Sequence, residues 1–241
     1  MTKPVSPYIH VGLADVRAAI VACERCPRLR MYCGRVAAEK KHAHRAETYW
    51  GRPVPGFGDP NARMLLVGLA PAAHGANRTG RMFTGDGSGD FLMSALHRTG
   101  FANIASSRRA DDGLRLTDAY ILAAVRCAPP GNKPLPEELA RCSEHLDAEV
   151  AALPNVRVVV ALGKIGFDAW LQVQRRRGVR LSPRPRFGHG VVFRMGSAAD
   201  GAPLPALVGC YHPSRQNTNT GKLTARMMES VFRKARLELT Y

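Results

Sequence analysis

Residues 63–90 read RMLLVGLAPAAHGANRTGRMFTGDGSGD, and they decide the fold. Met64 to Leu69 form an apolar run interrupted only by Gly68, the pattern of a strand buried on both faces. A loop rich in glycine and small residues follows. A helix is then expected to begin near Ser88, an N-cap residue type, because Phe91, Leu92, Ala95 and Leu96 recur at helical spacing. Strand, open loop and helix in this order place a ligand at the carboxyl end of a parallel sheet. The loop carries one aromatic, Phe83, and two acids, Asp86 and Asp90, among residues that let backbone approach a flat ligand.

Two phosphate-binding patterns nearly fit here, and both fail. Gly75 and Gly80 have the spacing of a Walker A loop, but Arg81 and Met82 stand where lysine and a magnesium-binding hydroxyl are needed. Gly85, Gly87 and Gly89 fall at every second residue, which is not the dinucleotide fingerprint.

Outward from this stretch the pattern repeats. Tyr120 to Val125, Val156 to Leu162 and Ala206 to Gly209 read as further strands. Helices are expected from Pro136 to about Leu153, from Gly163 to Arg177 and from about Thr220 to Leu239, with another over residues 11–26. Pro136 followed by Glu137 and Glu138 is a strong helix start by ring geometry and by dipole. A short strand or hairpin is expected around Val191 to Met195, within the weakly patterned segment 178–203. Repeated strand–helix alternation predicts a mainly parallel sheet covered on both faces, in one α/β domain spanning residues 1–241. The loops after the first, second and fourth strands are chemically distinctive, and in a parallel sheet they can converge on one crevice.

The 35 Lys and Arg residues outnumber the 19 Asp and Glu, leaving a formal charge of +16. Self-repulsion on this scale points to a polyanion as partner, and nucleic acid is the simplest one. No run of eighteen apolar residues occurs, so no membrane span is expected. The N-terminal MTKPVSPYIH has no apolar signal core, which points to the cytoplasm. His42 and His44, in KKHAHR, read as part of a solvated basic segment.

Six cysteines in such a chain suggest metal ligands or free thiols rather than disulfides. Cys23 and Cys26 form a local clip, while Cys127 and Cys142 form a second pair in a loop and the following helix. Four thiolates hold either zinc or an iron–sulfur cluster, and spacing alone does not decide. Cys33 and Cys210 look like spares, although Cys33 could replace one of the four.

These pieces together resemble the iron–sulfur uracil-DNA glycosylases, specifically their family 5 branch. The matching motifs are CERCPRL from Cys23, GLAPAAHGANRTGRMFTGD from Gly68 to Asp86, VRCAPPGNKP from Val125 to Pro134, and His212-Pro213-Ser214. The resemblance implies a three-layer α/β/α sandwich with a central four-stranded parallel sheet. It implies a [4Fe-4S] cluster on Cys23, Cys26, Cys127 and Cys142, and excision of deaminated bases from double-stranded DNA, with single strands a second candidate. A monomer associated with the nucleoid is the matching expectation.

By the same resemblance Phe83 stacks on the flipped base and backbone near Ala70 and Ala72 contacts it. Asp86 positions water and opposes positive charge on the sugar, His212 donates to the departing base, and Asn132 helps orient water or base. Arg215, Gln216 and Asn217 belong to a loop that presses into the DNA groove. Ala123 stands where many uracil glycosylases have an asparagine, which implies a range extending to hypoxanthine or xanthine. Leu69 stands where the family 4 branch has an acid, so the carboxylate role moves to Asp86. Lys164 has no neighbour in sequence that would lower its pKa for a Schiff-base role. The competing readings are a non-catalytic DNA-binding module with a scaffolding cluster, and a phosphate-processing α/β enzyme.

Overall fold

A computed structural model describes residues 12–198 and 201–240. The N-terminal decapeptide lies outside the described residues. The chain runs α1 (Leu13–Val21), α2 (Pro27–Glu39), β1 (Phe57–Gly58), β2 (Met64–Gly68), α3 (Ala76–Thr79) and α4 (Gly87–Arg98). It continues with β3 (Ala119–Ala123), α5 (Pro136–Ala151), β4 (Val158–Leu162), α6 (Lys164–Arg176) and β5 (Val192–Phe193). The last elements are β6 (Ala206–Cys210), α7 (Arg215–Asn219) and α8 (Ala225–Glu238).

The sheet has six strands in the order β1-β3-β2-β4-β6-β5. The inner four are parallel, as predicted, and an antiparallel two-residue strand is added at each edge. Four strands was therefore an undercount. Of the two edge strands, β5 falls where a short strand was expected around Val191 to Met195, while β1 was missed because its two residues lie in a Pro/Gly connector without an apolar run.

Period-two alternation sorts the inner strands between two cores. Leu66, Ile121, Val160 and Val208 pack with α4 and α8, through residues such as Leu92, Leu96, Val231 and Phe232. Leu65, Tyr120, Val159 and Leu207 face α5 and α6, through Leu146, Phe167 and Trp170. Each large side chain fully buried in this way contributes on the order of 1.5–3 kcal/mol. Both faces are covered, which is why the inner strands read as unbroken apolar runs.

Helix α4 starts two residues earlier than its sequence suggests. Its N-cap is Asp86, whose side chain accepts from Gly89 N, and not Ser88. The segment from Arg215 to Asn219, expected within a loop that presses into the DNA groove, is the short helix α7, capped by Ser214 accepting from Asn217 N. The first helix is shorter than residues 11–26, because the chain turns at the Cys23–Cys26 clip before Pro27 opens α2. No helix among the described residues is long and apolar enough to cross a membrane.

Candidate active site and cysteine cavity

The loops after β2, β3 and β6 meet at the carboxyl ends of the parallel strands. They line one groove of about 1900 Å³, open mouth included, which gathers Ala70, Ala72, Phe83, Asp86, Asn132, His212, Arg215 and Gln216.

Asp86 sits where α4 begins, with Oδ1 accepting from Gly89 N at 2.9 Å. Its other oxygen packs on Gly75, where an added Cβ would lie 2.2 Å from Oδ2, so a side chain there would displace the carboxylate. Burial raises the pKa of Asp86 above its ordinary value and Asp90 adds to this, while the Gly89 and Ser88 N–H groups and Arg215 oppose it. The carboxylate is thus largely enclosed and held by backbone dipoles.

Phe83 takes a left-handed backbone conformation, φ 50°, uncommon for an aromatic residue. Its ring lies across Gly68, whose Cβ, if present, would be 3.0 Å from Phe83 Cε2. The His212 ring is its neighbour, with centroids 5.9 Å apart and planes tilted by 33°. Burial alone pushes the His212 pKa down to about 4, so its imidazole is neutral at physiological pH. The His212 carbonyl accepts from Asn217 Nδ2 at 2.8 Å, which fixes the loop that carries the ring.

What holds the Phe83 turn in place is a set of buried arginines that sequence reading passed over. Arg78 donates to the carbonyls of His74 and Gly85 and pairs with Glu47. Arg81 donates to Thr84 Oγ1 at 2.8 Å and pairs with Asp112 at 2.8 Å. These arginines resemble phosphate ligands in sequence, yet they face inward. Only the acids from distant loops, Glu47 and Asp112, identify their role, and no local pattern links them.

Three sequence expectations fare differently. Asn217 is turned toward the protein and is absent from the groove lining, unlike Arg215 and Gln216. Ala123 is 1% exposed, packs in the α4–α8 core, and does not line the groove. It lies in the core rather than on the groove lining, so the structure does not set it against a bound base as expected. Asn132 lines the groove on an exposed 3-10 turn, with φ 58°, a conformation asparagine tolerates well.

The groove also includes residues that sequence reading left out of the site: Tyr32, Lys41, His44 and His74. His44 lies on this lining and also meets Glu47 at 2.7 Å. His74 Nδ1 meets Tyr49 Oη at 3.1 Å, a contact between positions 25 apart with no short-range signature. Lys164 lies outside the lining and pairs with Asp168 one turn on.

Cys23, Cys26, Cys127 and Cys142 line a single small pocket, about 320 Å³ with its open mouth included. Among the described residues, no three His, Cys, Asp or Glu side chains are grouped closely enough to grip one metal ion. The cavity does gather four sulfurs beside basic side chains. Arg25 Nε donates to Cys23 Sγ at 3.4 Å, and Arg126 N donates to Cys142 Sγ at 3.3 Å. Arg30, Arg126, Arg141 and His145 share the lining with the apolar Leu29, Pro53 and Val125. Burial, with Arg25 and Arg126 nearby, pushes His145 down to about 4. Buried nitrogens of Arg126 and His145 have no protein partner, so this donor set fits a thiolate-ligated anionic group. Cys33 and Cys210 are outside this cavity; Cys33 contacts the Ala128 carbonyl, and burial pushes Cys210 up to about 12.

Residues 55–236 match the family model of the uracil DNA glycosylase superfamily. The chain belongs to that superfamily. It is 50% identical over 226 residues to a type-5 uracil-DNA glycosylase of Mycobacterium tuberculosis, covering 93% of this chain and 81% of the relative. A type-5 uracil-DNA glycosylase of Thermus thermophilus is 50% identical over 220 residues, 90% of this chain and 94% of the relative. One from Pyrobaculum aerophilum is 44% identical over 216 residues, covering 90% and 88%. Membership agrees with the resemblance read from the motifs.

Proposed function

We propose that the chain is a monofunctional DNA N-glycosylase of the type-5 kind, which removes uracil from DNA and leaves an abasic site. The observation that carries this reading is the groove itself. It holds an enclosed carboxylate, an aromatic face and a neutral imidazole on three loops of a chain in this superfamily.

The chemistry follows from those groups. A target base leaves the stack at a cost of a few kcal/mol and enters the groove, where the Phe83 ring offers a stacking face. As the C1′–N bond breaks, the sugar takes on positive charge and the base takes the bonding electrons. The Asp86 carboxylate opposes the first charge and orients a water for attack at C1′; the proton shed by that water passes to the carboxylate or to solvent. His212, neutral, donates a hydrogen bond to the departing base, where a donor aimed at developing charge is typically worth about 3 kcal/mol. Asn132 lies across the groove, within the set that orients water or base. Arg215 and Gln216, exposed at the mouth, face the DNA strand.

Cys23, Cys26, Cys127 and Cys142 would hold a [4Fe-4S] cluster. Bound there, it would supply a structural tie joining the α1–α2 turn to α5 and to the loop after β3. Glu138 already links these parts by pairing with Arg28 at 2.7 Å.

The substrate range extends to hypoxanthine and xanthine in duplex DNA, a reading carried by the room in the groove and no longer by Ala123. The chain acts as a monomer, in one domain, on DNA in the cytoplasm at the nucleoid. The test is a labelled duplex with one lesion, incubated with protein and then treated with alkali. Strand scission at the lesion is expected, and intact strands for uracil would refute the proposal.

A further inference from the structure

The cysteine cavity carries more hydrogen-bond donors than the protein uses. Arg126 is 1% exposed, and its Nη2 stands 2.7 Å from Glu149 Oε2, an ion-pair contact without hydrogen-bond alignment. Its Nε and Nη1 have no partner. His145 Nε2 is buried without a partner as well. Both residues line the cavity with the four cysteines. Orphan nitrogens also occur on Trp170 and Gln174, but neither of those lines it.

A buried donor left unsatisfied is costly, and more so when it is charged. Native interiors therefore rarely keep one, and two around the same cavity call for a common acceptor. Glu149 does not fill that need. Its Oε1 is occupied by Tyr120 Oη and Gly56 N, both at 2.8 Å. None of the cysteine sulfurs meets these side-chain nitrogens directly, although Cys142 Sγ takes the Arg126 backbone N–H, so the missing acceptor is a group held between the cysteines. Position in the chain agrees: Arg126 precedes Cys127, and His145 lies three residues after Cys142, on the same face of α5.

We propose that Arg126 and His145 are positioning residues for the cluster, donating from their side chains to the sulfur-bearing group held by the cysteines, keeping it in place and setting its reduction potential. The proposal rests on the cluster assignment made above. Hydrogen bonds and positive charge at the sulfurs favour the more electron-rich, reduced state, so losing them lowers the potential. Partners of this kind are typically worth tenfold or more in metal retention.

The test uses the full chain as purified, without DNA. His145→Phe removes a donor at similar volume. Arg126→Met is paired with Glu149→Gln, so that no charge is left buried alone. Iron per chain, rate of iron loss to a chelator, and reduction potential are measured for each. Roughly tenfold faster loss and a more negative potential are expected for both variants, with iron still present on isolation. If the double variant does not fold, His145→Phe decides alone. Loss rates and potentials equal to those of the unmodified protein would overturn the proposal. An unmodified protein that binds no iron would instead overturn the cluster assignment, and this inference with it.

Discussion

Replacing Asp86 with asparagine separates two roles held by one side chain. As N-cap of α4, Asp86 Oδ1 accepts from Gly89 N at 2.9 Å, a contact worth about 1 kcal/mol. Asparagine caps as well as aspartate, so this contribution is retained. The charge is not. Burial already disfavours the ionised form, so its removal leaves stability unchanged or slightly higher. Catalysis should respond in the opposite direction: losing the carboxylate beside a cationic sugar is expected to lower single-turnover cleavage by about a hundredfold, or roughly 3 kcal/mol. Asp86→Ala loses both roles and should melt lower as well, by the equivalent of about 1 kcal/mol. The assay pairs single-turnover cleavage of a one-uracil duplex with binding to that duplex and thermal unfolding. An asparagine variant cutting at full rate would refute the catalytic role. Equal losses in binding and rate would reduce Asp86 to a cap.

The pH dependence has a definite sign. The pKa of Asp86 is above its ordinary value, so the active carboxylate is lost, and cleavage falls, as pH drops through that raised pKa. Stability does not fall with it. The folded state binds this proton more tightly than the unfolded state, so over the window between the unfolded and folded pKa values, falling pH favours folding through this group.

His212, pushed down to about 4, should give no inflection between pH 6 and 7 in the cleavage rate, and His212→Ala should slow cleavage by about a hundredfold across that range; a limb near 6.5 that vanishes in the variant would refute the neutral-donor role. Ala123→Asn, at a core position 1% exposed, should destabilise the fold by about 1–3 kcal/mol and leave the ratio of uracil to hypoxanthine cleavage rates unchanged, provided the protein folds. A shifted ratio would return Ala123 to the base pocket. Arg215→Ala should reduce the slope of log affinity against log salt by about one, and an unchanged slope would remove it from the phosphate contacts. Cys142→Ser should lose iron and stability together, as read by iron content and unfolding of the same preparation.

The sequence made the inner sheet legible because each of its strands is an unbroken apolar run, and only burial on both faces produces that. It also brought Asp86, Phe83 and His212 to one groove, since each follows a parallel strand and such loops share an end of the sheet. It failed where the deciding contact joins distant positions. Arg78 with Glu47, Arg81 with Asp112 and Arg126 with Glu149 are 31, 31 and 23 residues apart, and nothing local marks them. The depth of Ala123 was missed for a related reason: a strand's last apolar residue can end in the core or at the site, and only the register decides. Here Ala123 pairs with Gly68, beneath the Phe83 ring rather than beside a ligand.

Those buried arginines bear on how the surplus charge is read. Three of the arginines in the motifs that carry the resemblance, Arg78, Arg81 and Arg126, are interior, and each is matched by an acid. None of them is free to meet a phosphate. Removing matched pairs leaves the difference between bases and acids untouched, however, so the formal +16 belongs to the remaining residues. Most of that charge is therefore at the surface, where it attracts a polyanion at long range and is screened by salt. The groove adds little of its own: its rim has Lys41 and Arg215, while its floor has an enclosed carboxylate and a neutral histidine. Such an arrangement divides the task. Under the proposed function, the surface would hold the strand without regard to sequence, and the groove would distinguish the base by shape, stacking and one donor, where a cationic floor would instead compete for phosphate.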